Sequence, residues 1–334
     1  MVVEAMIDCE FCGLFWQNGN IPSMSRAKVT NMIRPAFLQP GDTVAIVATA
    51  RKVSRMEMKP AIDLLKSWGL NVQPGKNLYK DDRQFAGSDA ERMGDLQKAL
   101  NSKTCKAILF ARGGYGTVRI IDGLDWKRFQ KDPKWLIGFS DLTVLHNHVQ
   151  QQLGIETIHA PMAINFPKMN PNCLQIFKDT LFGQRLRYTW TPKGINDKLH
   201  RHGKCKGVIT GGNLSILYSL IGSTSDIDTK GKILFLEDLD EYLYHLDRMM
   251  MNLKRSGKLS GLAGMIVGGM TEMKDNSIPF GRTAEEIIRE AVADYDFPVA
   301  FGFPGGHIPN NYPLIFGREV TLSVGEKMDI IFHA

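Results

Sequence analysis

The sequence predicts an α/β protein, with a parallel sheet flanked by helices in its first half and a smaller, mixed α+β, barrel-like region in its second half. Apolar, β-branched runs of strand length alternate with helical periodicity up to about residue 153. Beyond residue 204 the apolar runs become shorter and closer together. At 334 residues the chain also exceeds the usual size of one compact core, so two domains are expected.

Strands and helices alternate regularly in the first half. The strands are predicted at residues 43–48, 70–74, 107–111 and 135–137, and the helices at residues 56–68, 90–100 and 142–153. Each of the last two strands runs into a turn that contains glycine. Because ligands gather at the carboxyl ends of strands in parallel sheets, these two turns are candidate sites.

The second half carries more strands than helices. The strands are predicted at residues 207–210, 233–236, 265–267, 299–301, 319–324 and 327–332, and the helices at residues 242–255 and 283–293.

These patterns divide the chain into an N-terminal domain at residues 32–167, a linker at 168–204 without sustained apolar periodicity, and a C-terminal domain at 205–334. Residues 1–31 are interpreted as a tail, or as an extension of the gene model upstream of a start at Met24 or Met32.

The composition argues against several classes of protein. The formal charge is +6, but the 41 basic residues are scattered among 35 acids, which does not favour nucleic-acid binding. No apolar run approaches the ~20 residues that span a bilayer. Five cysteines are an odd number, and Cys105, Cys173 and Cys205 lie far apart, which indicates a reducing compartment, so a cytoplasmic location is expected. Cys9 and Cys12 form a lone pair without partners at metal-ligand spacing, and neither a metal nor a cofactor is predicted.

The first candidate site is the turn at residues 138–141 (GFSD), which follows an apolar strand and precedes a helix. A serine at such a turn exposes its hydroxyl near the unpaired N–H groups of a helix N-terminus, as a nucleophile requires. The pattern lacks the second glycine of the G-x-S-x-G elbow, since Leu142 stands in its place. Helix capping by Ser140 or Asp141 is the alternative interpretation.

The second candidate is the glycine-rich segment at residues 112–116 (RGGYG). A backbone N–H in this loop, such as that of Gly114, can face a developing oxyanion, and Arg112 can hold a carboxylate in a bidentate fork. The alternatives are a phosphate-binding loop, although neither nucleotide-binding glycine pattern is present, and a plain tight turn.

The third candidate joins two segments of the second half. Glu237 and Asp238 follow an apolar strand, and His307 lies in a loop rich in glycine and proline at residues 303–313. A histidine is the expected base near neutral pH, and an acid after a strand can orient it. The order Ser140, Glu237, His307 is one of the known orders of a serine triad.

Six segments in this order resemble the family of L,D-carboxypeptidases, the murein tetrapeptide carboxypeptidases, whose relatives include self-immunity peptidases that destroy microcin C. The segments are residues 40–42 (PGD), 112–116 (RGGYG), 138–141 (GFSD), 211–215 (GGNLS) and 236–238 (LED), and Gly306-His307 with Asn310 or Asn311 and Pro313 after it. The resemblance runs from about Met32 to the C-terminus.

The resemblance implies that Ser140 is the nucleophile, Glu237 the orienting acid and His307 the base. It implies a flavodoxin-like N-terminal domain, a homodimer and an active site between the domains. The implied reaction removes the terminal D-alanine of murein tetrapeptide in cell-wall recycling. The N–H groups of Asp141 and Gly114 would hold the oxyanion, and Arg112 the substrate carboxylate.

Two alternatives stay open on the sequence. One is a peptidase of the microcin C type, which cleaves a peptidyl-nucleotide. The other, of a different class, is a non-catalytic protein that binds a phosphorylated ligand at the glycine-rich loop.

Overall fold

Two β-sheets and the helices packed on them form the part of the chain that the computed structural model describes, residues 32–192 and 194–333. The interpretation of residues 1–31 as a tail or gene-model extension, and the cysteine pair within them, lie outside these described residues. None of the helices in the described ranges is long and apolar enough to cross a membrane.

The elements of the first half alternate as predicted. They are β1 (Thr43–Val47), α1 (Arg55–Ser67), β2 (Asn71–Pro74), α2 (Asp89–Asn101), β3 (Cys105–Phe110), α3 (Lys127–Lys131), β4 (Trp135–Gly138), α4 (Thr143–Leu153), β5 (Thr157–His159) and α5 (Pro171–Leu181). Helices α1 and α2 begin at capping boxes, in which Ser54 pairs with Glu57 and Ser88 with Glu91.

The elements of the second half include more strands than the sequence predicted. They are β6 (Arg187–Trp190), β7 (Gly203–Asn213), α6 (Leu214–Leu220), β8 (Ile233–Leu239), α7 (Leu243–Arg255), β9 (Gly264–Thr271), α8 (Ala284–Ala291), β10 (Val299–Ala300), β11 (Leu314–Phe316), β12 (Glu319–Val324) and β13 (Met328–Phe332).

The first sheet has the strand order β11-β5-β4-β3-β1-β2. Its strands pair in parallel except β11, which lies antiparallel to β5. One face packs against α1 and α5, and the other against α2 and α4. The expected parallel sheet with helices on both faces is confirmed, and the carboxyl ends of β3 and β4 lie side by side in it.

The second sheet has the order β10-β9-β8-β7-β12-β13-β6. Strands β7 to β10 pair in parallel, whereas β12, β13 and β6 pair antiparallel. Helices α6, α7 and α8 cover one face of its parallel part. The prediction of a mixed second sheet is therefore confirmed.

The two sheets do not follow the predicted domain division, and they share a core. Strand β11 comes from the second half but completes the first sheet, and β6 comes from the predicted linker but forms an edge of the second sheet. Residues 168–204 thus hold α5 and β6, which sequence periodicity did not reveal. One apolar cluster contains Ile46 of the first sheet together with Phe235 and Leu322 of the second. The predicted domain boundaries remain a prediction.

Candidate active site

Ser140 lies in a sharp turn at the carboxyl end of β4. The strand ends at Gly138, and a single turn of 3₁₀-helix at Ser140–Leu142 leads into α4. Ser140 has φ of 64°, which is a left-handed backbone conformation. Residues other than glycine adopt it at a cost in energy, and such residues are found mainly at functional sites. This strained turn lifts the serine hydroxyl above the edge of the sheet, as at a nucleophile elbow.

The alternative role in helix capping is not what the structure shows. Phe139 and Leu142 occupy the N-cap positions of the two helical segments, and neither side chain accepts a capping hydrogen bond. The Ser140 hydroxyl instead contacts His307, and the Asp141 carboxylate accepts from Thr117.

A chain of hydrogen bonds connects Ser140, His307 and Glu237. His307 Nε2 lies 3.0 Å from Ser140 Oγ, and His307 Nδ1 lies 2.6 Å from Glu237 Oε2. An ionised carboxylate can only accept, so the ring proton belongs on Nδ1 and Nε2 is free to accept from the serine hydroxyl. The structure therefore brings together three residues that the sequence separates by up to 167 positions.

The loop that carries His307 is held by hydrogen bonds from its backbone N–H groups to side chains. Glu237 Oε2 also accepts from the His307 backbone N–H at 3.1 Å, and Asn311 Oδ1 accepts from the Gly306 N–H at 2.8 Å. Gly306 has φ of 96°, and a Cβ there would lie 2.6 Å from Glu237 Cβ. Only a glycine allows the loop to pass this close to the acid that it contacts.

Glu237 is fully buried near the carboxyl end of β8. The pairing of β8 with β9 shifts register between Leu236 and Asp238, so Glu237 lies at an irregularity of the ladder. Such irregularities re-aim side chains next to active sites. Consecutive acids of one strand, Glu237 and Asp238, consequently both lie buried beside the site.

The pKa of His307 is set by opposing influences. Burial is the largest and lowers it, but the charge and hydrogen bond of Glu237, with the charges of Asp238 and Glu272, outweigh burial and leave the pKa above its ordinary 6.5. Burial, followed by the charge of Glu237, raises the pKa of Asp238 to about 7. Asp238 therefore changes protonation near neutral pH, and His307 does so above its ordinary pKa.

The three residues open onto a cleft of about 750 Å³. Arg112, Gly114 and Asp141, which the sequence predicted as oxyanion or substrate contacts, all line it together with Ser140 and His307. The glycine-rich loop passes close to the serine, since a Cβ on Gly113 would lie 3.3 Å from Ser140 Oγ. The cleft also holds cationic and anionic side chains from both halves of the chain, including Arg51, Glu57, Lys168, Asp240 and Glu241. Among the described residues, no cluster of histidine, cysteine and acidic side chains has the geometry of a metal site.

Comparison with known proteins assigns the family. The profile described as the LD-carboxypeptidase N-terminal domain matches residues 44–160, and the one described as the LD-carboxypeptidase C-terminal domain matches residues 206–322. A Bacillus subtilis protein named "Probable murein peptide carboxypeptidase" is 33% identical over 89% of this chain and 94% of its own length. The chain belongs to the LD-carboxypeptidase family. This confirms the family predicted from the six segments, and with it a peptidase fold.

Solved structures of similar proteins agree with this LD-carboxypeptidase assignment. Muramoyltetrapeptide carboxypeptidase from Oxalobacter formigenes gives a TM-score of 0.79 at 26% identity, with 87% of this chain and 99% of that chain covered. The microcin C7 self immunity protein MccF also gives 0.79, at 22% identity over 90% of this chain and 98% of that chain, which shows a shared fold alone.

Sequence reasoning gave no role to a second layer of this LD-carboxypeptidase site. Thr143 Oγ1 accepts from the Asn213 N–H at 3.0 Å, and Asn213 Nδ2 donates to Asp238 Oδ1 at 2.8 Å, which links the serine helix to the strand of Glu237. The signal was the glycine pair before Asn213. Both glycines have positive φ, and a Cβ on Gly212 would lie 2.5 Å from Thr143 Oγ1, so the close approach requires glycine.

One histidine of this LD-carboxypeptidase also went unnoticed in the sequence. His159 is fully buried on β5, and its ring centroid lies 5.8 Å from that of Phe139 and 5.0 Å from that of Phe235. Burial holds the pKa of His159 well below its ordinary value, so the ring is neutral. Phe139 in turn contacts the His307 ring, with centroids 4.8 Å apart. No sequence pattern around His159 distinguishes this packing role from catalysis.

Proposed function

We propose that this LD-carboxypeptidase is a serine enzyme that hydrolyses the bond before the terminal D-alanine of murein tetrapeptide. The single observation that carries the proposal is the hydrogen-bonded chain from Ser140 through His307 to Glu237, opening onto a peptide-sized cleft. The name of the 33%-identical Bacillus relative and that of the Oxalobacter structure support murein peptide as the substrate.

The first half of the reaction forms an acyl-enzyme. Ser140 Oγ attacks the carbonyl carbon of the terminal peptide bond while His307 Nε2 takes the hydroxyl proton, and Glu237 stabilises the imidazolium that forms. The carbonyl oxygen becomes an oxyanion, which the N–H groups of Gly114 and Asp141 would hold. The C–N bond then breaks, and His307 returns the proton to the amine of the departing D-alanine.

The second half restores the enzyme. Water attacks the acyl carbon, gives a proton to His307, and releases the shortened peptide as its carboxylate while Ser140 Oγ recovers a proton. The free carboxylate of the substrate would lie against Arg112, because a guanidinium can bind a carboxylate with two parallel hydrogen bonds. No step requires a bound metal or cofactor.

A mass-spectrometric assay tests the substrate. The purified protein is incubated separately with murein tetrapeptide and with a peptidyl-nucleotide, and we expect free D-alanine and tripeptide only from the first. Release of nucleotide, with the tetrapeptide intact, would instead favour the microcin C type of activity. Tight binding of a phosphorylated ligand, without turnover of either compound or labelling of Ser140 by a fluorophosphonate, would favour the non-catalytic alternative.

The remaining expectations about this enzyme are also proposals. We propose that the protein is a homodimer that acts in the cytoplasm during recycling of cell-wall peptides. We also propose that its chain is divided into domains at residues 32–167 and 205–334. Three cysteines of the described residues, Cys105, Cys173 and Cys205, are free, which supports a reducing compartment. Light scattering during gel filtration measures the assembly, and a monomer at micromolar concentration would contradict it.

Activity is expected to fall on acidification with a midpoint above pH 6.5. A protonated His307 cannot accept the serine proton, so kcat/KM is high above the pKa of His307 and is lost as the pH falls through it. The measurement is kcat/KM on murein tetrapeptide from mildly acidic to mildly alkaline buffer. An acidic limb centred at or below 6.5 would show that Glu237 does not raise the pKa of the base.

Replacing Gly306 by alanine is expected to lower kcat by roughly 100-fold, because an ångström-scale displacement of catalytic groups has effects of this order. The new Cβ would push Glu237 and His307 apart, since it would lie 2.6 Å from Glu237 Cβ. Gly281→Ala is the matched control, because Gly281 also has positive φ, 81°, but nothing lies within 4 Å of its added Cβ. Both variants should lose about 1–2 kcal/mol of stability from backbone strain. Equal activity in the two would contradict the positional role of Gly306.

A further inference from the structure

The glycine-rich loop is tied to the serine turn through the side chain of Asp141. Asp141 Oδ2 accepts from both the backbone N–H and the hydroxyl of Thr117, at 2.9 and 2.6 Å. Asp141 is 1% exposed and Thr117 is fully buried, so water does not compete for these bonds. The contact joins the residue after the proposed nucleophile to the residue that follows the last glycine of the loop.

A second layer holds the same end of the loop. Thr49 Oγ1 lies 2.8 Å from Thr117 Oγ1, and because the single proton of the Thr117 hydroxyl goes to Asp141, Thr49 is the donor in this pair. The buried guanidinium of Arg92 donates to the carbonyl of Gly116 at 3.1 Å and also to that of Thr49. The Thr117 end of the loop is therefore bound on several sides.

The other end of the loop has only a weaker tie. The Arg51 N–H donates to the Gly113 carbonyl at 3.4 Å. Gly114 lies between the hydrogen bond at Gly113 and the hydrogen bonds at Thr117. Its φ of 110° is favourable for glycine and unfavourable for other residues. In the described ranges, no protein acceptor pairs with the backbone N–H of Gly114 or of Asp141. The contact between Asp141 and Thr117 joins the two segments that carry these donors.

We propose that the Asp141 side chain is a positioning residue, which ties the glycine-rich loop to the serine turn and sets the distance between the two N–H groups that receive the oxyanion. The inference rests on the proposed function of the site. It assigns the side chain of Asp141 a role separate from that of its backbone N–H. Donors held at a fixed spacing stabilise a transition state more than they stabilise bound substrate.

A purely structural role for the buried carboxylate predicts a different result. Loss of the contact would then lower stability alone, with kcat and KM of the folded enzyme unchanged. A role in positioning the oxyanion donors predicts a lower kcat with KM retained, since the ground-state carbonyl makes weaker hydrogen bonds than the oxyanion does.

The test uses Thr117→Val, which removes the hydroxyl bond to Asp141 and keeps the side-chain shape. Thr117→Ser restores the hydroxyl, and Thr180→Val is the matched control, because it removes a fully buried threonine hydroxyl that donates to the Ile176 carbonyl within α5, outside the loop network. We expect Thr117→Val to lower kcat on murein tetrapeptide by roughly 10- to 100-fold, somewhat less than outright loss of a donor. KM should stay within about twofold, and both Thr117→Ser and Thr180→Val should stay near the wild-type kcat.

Labelling by a fluorophosphonate gives a second readout that does not depend on the natural substrate. Ser140 Oγ bonds to phosphorus as His307 Nε2 takes the hydroxyl proton, fluoride leaves, and the phosphonyl oxygen occupies the position of the oxyanion. The labelling rate constant of Thr117→Val should fall in parallel with kcat, at a temperature where thermal melting shows every variant folded. Equal labelling of Thr117→Val and Thr180→Val would overturn this inference alone. A wild-type protein that Ser140-directed probes do not label would overturn the proposed function and this inference with it.

Discussion

Replacing Ser140 or His307 by alanine is expected to lower kcat by about 10⁴-fold or more. Ser140→Ala removes the proposed nucleophile, and His307→Ala removes the proposed base, whose Nε2 lies 3.0 Å from the serine hydroxyl. In the proposed mechanism the two act in one proton transfer, so the double variant should be hardly slower than either single variant. The measurement is single-turnover release of D-alanine from murein tetrapeptide.

Matched controls separate this effect from general damage. Ser67→Ala and His202→Ala change the same residue types at exposed positions, and both should keep kcat within about twofold of the wild type. Substrate affinity of Ser140→Ala should also persist, because Arg112 and the rest of the cleft remain. Multiplicative losses in the double variant, or substantial turnover in either single variant, would mean that Ser140 and His307 do not form one catalytic unit.

The sequence predicted the members of this unit for local reasons. Ser140 follows an apolar strand and a glycine, and His307 lies between glycines and prolines that restrict its backbone. Each of these two local patterns predicts that one side chain is held in a fixed position. What it cannot encode is the 3.0 Å contact between them, which depends on the packing of a second sheet against the first. The resemblance to a known family, and not periodicity, connected the two segments in advance.

The parts of the fold that the sequence did not reveal are those with little local signal. Strands β5 and β11 have three residues each, and runs of that length are common in loops. Their identity as strands comes from partners far away, as when Leu314 pairs with His159. Strand β6, an edge strand in a polar stretch, depends in the same way on β13. Pairing of this kind is a property of the folded chain, and a run of three or four residues is too short for its pattern to reveal it.

Replacing Glu237 by glutamine is expected to lower kcat by roughly 10³- to 10⁴-fold, as loss of the orienting acid does in other serine triads. The amide oxygen can still accept from His307 Nδ1, but the charge that stabilises the imidazolium is gone. The acidic limb of the pH profile should therefore move to lower pH, because Glu237 is the main influence that raises the pKa of His307. The measurement is kcat/KM for both proteins across the same pH range.

Glu272→Gln distinguishes orientation from charge. Glu272 is exposed and raises the pKa of His307 by its charge alone, so its loss should shift the acidic limb slightly in the same direction and leave kcat at high pH within about twofold. If Glu237 acted only by raising the pKa of His307, kcat of Glu237→Gln would equal that of the wild type at a pH where His307 is neutral in both proteins. We expect no such equality, because the buried carboxylate also fixes the proton on Nδ1 and holds the loop through the His307 N–H. A glutamine variant with wild-type kcat in alkaline buffer would show that the carboxylate of Glu237 is not needed for turnover, and would contradict its proposed role.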